Sequence, residues 1–138
     1  MDVDLVLTAD AATIDGSGKL NLLGVFDQIS VGRFPARHGR LSLVLRFLGG
    51  AGDAGTHKLT IKLSSPKGKE LVSLSGELKV SPGRQSLQTG IRVPHVINLD
   101  GIVFQEEGTH TFHILVDGRH QATLPLSIVS RRMSGAMA

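Results

Sequence analysis

The stretch IDGSGKLNLLG, residues 14–24, contains residue types that bind calcium or phosphate in other proteins. A calcium loop of the EF-hand kind needs acids at its first, third and fifth positions and a glutamate at its twelfth, and most of these are missing. A phosphate loop needs Gly-Lys-Ser/Thr at the start of a helix, but Gly18 and Lys19 lead into Leu20 and Asn21 with no helical pattern. The stretch therefore predicts the tip of a β-hairpin, in which Asp15 accepts hydrogen bonds from the backbone.

The histidines and serines show no catalytic or metal-binding pattern. The chain has six histidines and no cysteine, which excludes thiolate metal sites and thiol nucleophiles. His110 and His113 would share one face of a helix, but on a strand they lie on opposite faces. The Gly-x-Ser-x-Gly signature of serine hydrolases is missing. We therefore predict no catalytic residue, no metal ligand and no cofactor, while a metal-assisted enzyme assembled through space from scattered Asp and His residues stays an open alternative.

An arginine-rich stretch, RFPARHGR at residues 33–40, is the clearest candidate for ligand binding. Its basic residues are Arg33, Arg37, His38 and Arg40. No acidic residue lies between Asp27 and Asp53. Guanidinium groups bind phosphates and carboxylates through paired hydrogen bonds, and Phe34 can stack on a base. The stretch indicates either a solvated loop or an anion-binding site, with nucleic acid as one kind of partner.

Asp27 is a candidate for a buried structural acid. It shares strand parity with four apolar residues, Leu23, Val25, Ile29 and Val31. A buried carboxylate needs hydrogen bonds or a cation, so Asp27 would either fix a neighbouring turn or belong to a site. A bulge at Gly24 would shift the parity and remove the reason to expect burial.

The elements that position these residues have the pattern of β-strands. Residues 41–48, LSLVLRFL, alternate with the period of two that a half-buried strand shows. Residues 111–129 contain two such runs joined by Asp117 and Gly118, a pair typical of a type I′ hairpin turn. Pro125 cannot donate to a ladder, which places that strand at an edge or at a bulge. No segment has a sustained apolar stripe of helical period.

Length, spacing and charge define the expected fold class. About eight short strands with glycine-rich turns and no crossover helices predict an all-β protein, an antiparallel β-sandwich of immunoglobulin-like or related topology. Residues 1–130 are predicted to form this single domain, and residues 131–138 a mobile tail. The net charge is only +3, and the first residues lack the basic start of a signal peptide. No apolar run approaches the roughly 20 residues of a spanning helix, so we predict a cytoplasmic protein with no membrane partner.

Three blocks of the sequence carry a family resemblance: DLVLTADAATIDGSGKLNLLGVFDQISVGRFPA, the strand LSLVLRF, and the closing EEGTHTFHILVDGRHQATLPLSIV. Together they resemble a family of small uncharacterised bacterial β-domain proteins, in which a similar opening precedes a proline-containing loop. No activity or cofactor is assigned to that family, so the resemblance implies a β domain and no site residues. Residues 106–129 are also similar to the last two strands of immunoglobulin-like domains, without the cysteines and tryptophan of antibody domains.

These observations favour a non-catalytic binding or assembly module, since an antiparallel sandwich offers edges and patches that recruit a protein partner. Val44 and Leu48 lie opposite Leu43 and Leu45, which indicates either a central strand or a second covered face in a homo-oligomer. The alternative function is an anion or nucleic-acid binder that uses the arginine-rich loop 33–40.

Overall fold

The computed structural model describes residues 1–81 and 90–131, and within these ranges the chain is almost entirely β-strand. The strands are β1 (Asp2–Ile14), β2 (Leu20–Phe26), β3 (Gln28–Val31), β4 (Ala36–Arg37), β5 (Arg40–Gly49), β6 (Gly55–Ser64), β7 (Glu70–Val80), β8 (Ile91–Asp100), β9 (Val103–Phe104), β10 (Gly108–Val116) and β11 (Arg119–Ser130). A single turn of 3-10 helix, Ala51–Asp53, connects β5 to β6.

The strands form two sheets and a small ribbon. Sheet A has the order β2-β1-β5-β8, and all its pairs are antiparallel. Sheet B has the order β3-β11-β10-β6-β7, and its pairs are antiparallel except the parallel pair β3 and β11. β4 and β9 form a separate two-stranded ribbon. The predicted all-β sandwich is confirmed.

The core lies between the two sheets and follows the alternation of their central strands. From sheet A, β5 contributes Leu41, Leu43, Leu45 and Phe47; from sheet B, β6 and β10 contribute Leu59, Ile61, Leu63, Phe112, Ile114 and Val116. All of these side chains are buried in one cluster. Because each buried side chain of this size stabilises the fold by about 1.5–3 kcal/mol, this face of β5 holds sheet A against sheet B.

The C-terminal hairpin has the predicted turn. Asp117 and Gly118 both have positive φ angles, 51° and 79°, which a type I′ turn requires. Pro125 pairs with Thr111 of β10, while β3 pairs with β11 only from Ser127 onward. The missing N–H of Pro125 therefore lies at a local edge of the sheet, as the sequence predicted.

The predicted mobile tail, residues 131–138, lies outside the described residues except for Arg131. In the described ranges, no helix has the length and apolar character needed to cross a membrane.

Truncating the inward face of β5 should destabilise the protein strongly. We expect Leu43→Ala to lower the free energy of unfolding by about 2–5 kcal/mol, because Leu43 is fully buried and leaves a cavity. Leu74→Ala is the matched control, since Leu74 is exposed on β7 and its loss should cost about 1 kcal/mol or less. Urea unfolding of both variants checks this, and equal losses would contradict the assigned core.

Candidate functional site

The hairpin of β1 and β2 projects beyond the rest of sheet A. β1 pairs with β2 from Thr8 to Ile14, but it pairs with β5 only from Asp2 to Ala9. Residues 10–24 therefore form a two-stranded projection, which we call the arm. The five residues 10–14 of β1 at the usual strand rise give it a length of about 17 Å.

The tip of the arm is the predicted hairpin turn, and Asp15 organises it. One carboxylate oxygen of Asp15 accepts hydrogen bonds from the backbone N–H of Ser17 at 2.8 Å, the hydroxyl of Ser17 at 2.7 Å and the backbone N–H of Lys19 at 3.0 Å. These bonds, that of the Ser17 hydroxyl first, lower the pKa of Asp15. Gly18 adopts the positive φ angle of 84° that the turn needs. The prediction of a hairpin tip is confirmed, and Asp15 has a structural role there.

The β1–β2 hairpin, of which the arm is the projecting part, carries most of the exposed large apolar side chains in the described part of the chain. Six large hydrophobic residues are exposed there, and four belong to β1 and β2: Ile14 at 42%, Leu22 at 39%, Leu23 at 70% and Val25 at 57%. Pairing places Leu23 and Val25 beside Ala11 and Ala9 on one face, while Leu22 pairs with Ala12 on the other. The arm is thus apolar on both faces, which is typical of an interaction surface.

The outward face of sheet A also carries apolar residues next to the arm. Ala9 pairs with Val25 of β2, and Val44 of β5 lies between Leu7 and Val96. Val44 is buried although it points away from the core. Because β5 is a central strand of sheet A, its two-sided pattern follows from its position in the sheet, the first of the two explanations that the sequence left open.

The free edges of the two sheets differ in how they are protected from pairing. β8 contains Arg92 and Pro94, β7 contains charged residues at several positions, and β3 is only four residues long. Charge, proline and short length are the usual means by which proteins block edge-to-edge association. β2, with the sequence LNLLGVF, has no charged residue and no proline. Gly24, with a φ angle of 68°, interrupts the regular backbone near the middle of this strand.

The structure brings part of the arginine-rich stretch into one cavity. Arg33, Arg37 and His38 line a cavity of about 310 Å³ together with Arg131. Arg40 lies outside it and binds the carboxylate of Asp100 through its Nε at 2.6 Å and Nη2 at 3.1 Å. The hydrogen bond from Arg40 lowers the pKa of Asp100.

Two features of this cavity differ from what the sequence indicated. Phe34 is half-buried against the core, which removes it as an open platform for a stacked base. The sequence predicts that Arg131 begins the tail, yet its backbone N–H donates to the carbonyl of Val31 at 2.7 Å and the residue lines the cavity. Only the parallel pairing of β3 with β11 reveals this, and the local sequence contains no signal for it.

The predicted burial of Asp27 is wrong. Asp27 is exposed in the bend between β2 and β3, and only its backbone carbonyl is engaged, accepting from the N–H of Ser127 at 2.9 Å. Parity breaks at this bend because β2 belongs to sheet A and β3 to sheet B. Leu23 before the bend is exposed, whereas Ile29 after it is buried, so the shared parity has no meaning across the crossing.

A polar cluster that the sequence did not indicate joins His57 to Asp117, 60 residues away. The imidazole Nδ1 lies 2.6 Å from the Asp117 carboxylate, and Nε2 lies 2.6 Å from the carbonyl oxygen of Asp53. Since both neighbours only accept, the protonated ring donates to both. The hydrogen bond to Asp117 raises the pKa of His57, and the same bond lowers the pKa of Asp117. The cluster ties the β5–β6 connection to the β10–β11 turn.

The described residues bring together no further chemical site. Within residues 1–81 and 90–131, no three His, Asp or Glu side chains come close enough to hold a metal ion. A cavity of about 490 Å³ lies between the β7 and β8 edges. Its one charged side chain, Asp100, is already engaged by Arg40.

Stability should depend on pH through His57. Because folding raises the pKa of His57, the stabilisation is fully present below the unfolded value near 6.5 and is lost as the pH rises through the folded value. We expect urea unfolding to show a loss of stability from pH 5.5 to pH 8.5 that is smaller in His57→Gln. Asp117→Asn should show the same reduction, and an unchanged pH profile in both variants would contradict the assigned hydrogen bonds.

Several solved structures are similar to this chain at low sequence identity. The alkylpurine DNA glycosylase AlkC of Pseudomonas fluorescens, bound to DNA containing an abasic site analogue, is 10% identical with a TM-score of 0.48; the match covers 93% of this chain and 30% of that one. A β-glucosidase from Listeria innocua, in complex with isofagomine, is 10% identical with a TM-score of 0.46; the match covers 91% of this chain and 16% of the β-glucosidase. An immunoglobulin-like protein from Pseudomonas aeruginosa is 12% identical with a TM-score of 0.42; the match covers 92% of this chain and 94% of that protein. This chain thus spans less than a third of the first two proteins.

A protein family described as a family of unknown function, DUF6941, matches residues 4–129. The matched range includes all three blocks on which the resemblance to a family of small β domains was based, and that resemblance is confirmed. No curated protein has a sequence that matches this chain.

Proposed function

This chain belongs to the DUF6941 family of unknown function, and we propose that it acts as a self-associating assembly module that pairs through its arm. The observation that carries the proposal is the concentration of exposed apolar side chains on a projecting hairpin whose outer edge is an unprotected strand. Exposed apolar surface and open strand edges are both stabilised by a partner that covers them. The partner we propose is a second copy of the same chain.

Pairing of two β2 strands across a two-fold axis would cover both the exposed apolar side chains and the open strand edge. The backbone N–H and C=O groups on the open edge of β2 would bond to the same strand of the second copy in an antiparallel register centred on Leu23, as in other strand-addition interfaces. Sheet A of each copy would then continue into the other. Leu23 and Val25 from both copies would meet on the outward face, where each is now exposed. The contact is the same patch on both copies and therefore closes as a dimer.

The charges that flank β2 support a second copy in antiparallel orientation. Lys19 precedes the strand and Asp27 follows it, both exposed. Antiparallel pairing about the middle of Leu20–Phe26 sets Lys19 of one copy near Asp27 of the other, at both ends of the contact. Parallel pairing would instead set like charges side by side, which is unfavourable. Neither residue has an ion pair with another described side chain, so both are available.

A charge placed on the arm should abolish the association. We expect the wild-type chain to form dimers in native mass spectrometry over a concentration series, and Leu23→Lys to weaken dimerisation by at least about tenfold because a buried charge opposes edge pairing. Leu74→Lys is the matched control, since Leu74 is also an exposed leucine but lies on β7. A wild-type chain that stays monomeric, or equal loss in both variants, would overturn the proposal.

Reversal of the flanking charges should test the orientation. Asp27→Lys alone should weaken the dimer because it faces Lys19 of the second copy, and adding Lys19→Asp should restore it because the pairs are again opposite in sign. Sedimentation velocity at low and high salt measures both effects. A double variant as weak as the single one would exclude the antiparallel contact.

The cytoplasmic location and the recruitment of a different protein stay predictions.

A further inference from the structure

Three arginines from separate parts of the chain converge on the cavity of about 310 Å³ at the β3 edge. Arg33 follows β3, Arg37 ends β4 and Arg131 follows β11. The rest of the lining consists of uncharged residues, those at 29–32 and 36, together with His38. No aspartate or glutamate is among the residues that line this cavity.

Backbone pairing and two glycines position two of these guanidinium groups. Arg37 pairs with Val103 in the β4–β9 ribbon, and its guanidinium lies so close to Gly101 that a Cβ there would be 2.7 Å from Nη2. The Arg131 guanidinium lies beside Gly32, where a Cβ would be 3.6 Å from Nη2. Gly32 belongs to the lining, so the Arg131 guanidinium lies at the cavity, while Arg37 lines the cavity and extends its guanidinium towards Gly101, which lies outside the lining.

The cavity arginines differ from other arginines of the chain in lacking a counter-charge. Arg40 and Arg46 form ion pairs with Asp100 and Asp4. Arg33, Arg37 and Arg131 have no ion pair with any described residue. Guanidinium groups stay protonated, so the residues that line this recess carry three positive charges with no acid among them.

We propose that this cavity binds a phosphate group. A phosphate monoester or inorganic phosphate presents several oxygens and about two negative charges, and each guanidinium can contact two oxygens at once. His38 lines the same cavity, and its buried Nε2 has no hydrogen-bond partner among the described residues. Because this atom is inaccessible to solvent, the His38 ring forms part of the cavity wall, and the arginines supply the polar contacts to the anion.

A compact phosphate fits this cavity better than a nucleic-acid strand. A strand needs a row of cations along a groove and aromatic faces on which bases stack. Here the cations surround one recess, and the nearby ring of Phe34 packs against the core. The cavity shares no residue with the arm, so phosphate binding is independent of the proposed dimer.

Calorimetric titration with inorganic phosphate in chloride buffer at constant ionic strength tests the site. We expect binding by the wild-type chain and at least about tenfold weaker binding by Arg37→Gln and by Arg131→Gln, since each removes a two-oxygen contact. Arg92→Gln is the matched control: it removes the same charge from β8, outside the cavity, and should bind like the wild type. Amide NMR spectra of each variant establish that it is folded.

Three outcomes would overturn the proposal. The first is a folded wild-type chain that does not bind phosphate, and the second is equal weakening in Arg92→Gln, which would indicate nonspecific attraction to positive charge. The third is tight, salt-dependent binding of a single-stranded oligonucleotide without binding of phosphate, which would assign the arginines to nucleic acid. If Arg37→Gln fails to fold, Arg131→Gln decides the result alone, because Arg131 lies after the last strand whereas Arg37 belongs to the β4–β9 ribbon.

Discussion

The packing of β5 against β6 and β10 is the contact on which the rest of the structure depends. One face of β5 is buried between the sheets, and this fixes which face of sheet A points outward. Because Leu43 and Leu45 face the core, Val44 between them lies on the outward face. Its pairing partners Leu7 and Val96 lie on the same face. The apolar outer surface that leads to the arm is therefore a consequence of the same alternation that builds the core.

Local patterns in the sequence were sufficient to predict the strands and their tight turns. The alternation of residues 41–48 predicts β5 because burial of one face imposes a period of two. Asp117 and Gly118 predict their turn because few residue pairs accept two successive positive φ angles. The tip at Asp15 is predictable for a similar reason, since its carboxylate bonds to the backbone only two and four residues away. Each of these rules acts within a few residues.

Features that depend on contacts between distant segments could not be predicted in this way. Strand parity wrongly predicts the burial of Asp27, because parity does not extend across a bend where the chain passes from one sheet to the other. His57 and Asp117 meet because β6 pairs with β10. Arg131 and Arg33 line the same cavity because β3 pairs with β11. Register between distant strands is set by packing of the whole sandwich, which one sequence without structure does not reveal. The sequence therefore predicts the arginine-rich stretch correctly but not the full set of arginines at the cavity, since Arg40 lies outside it and Arg131 lines it.

The protection of the other strand edges gives the exposed β2 edge its significance. A sandwich has to end its sheets somewhere, and an open edge invites aggregation. Here the β8 edge carries Arg92 and Pro94, and the β3 edge is short. The same fold leaves β2 without charge or proline, yet sets Lys19 and Asp27 at its two ends. In the proposed dimer, charges in these positions would favour antiparallel over parallel pairing, a property expected of an edge that selects a copy of itself over other strands.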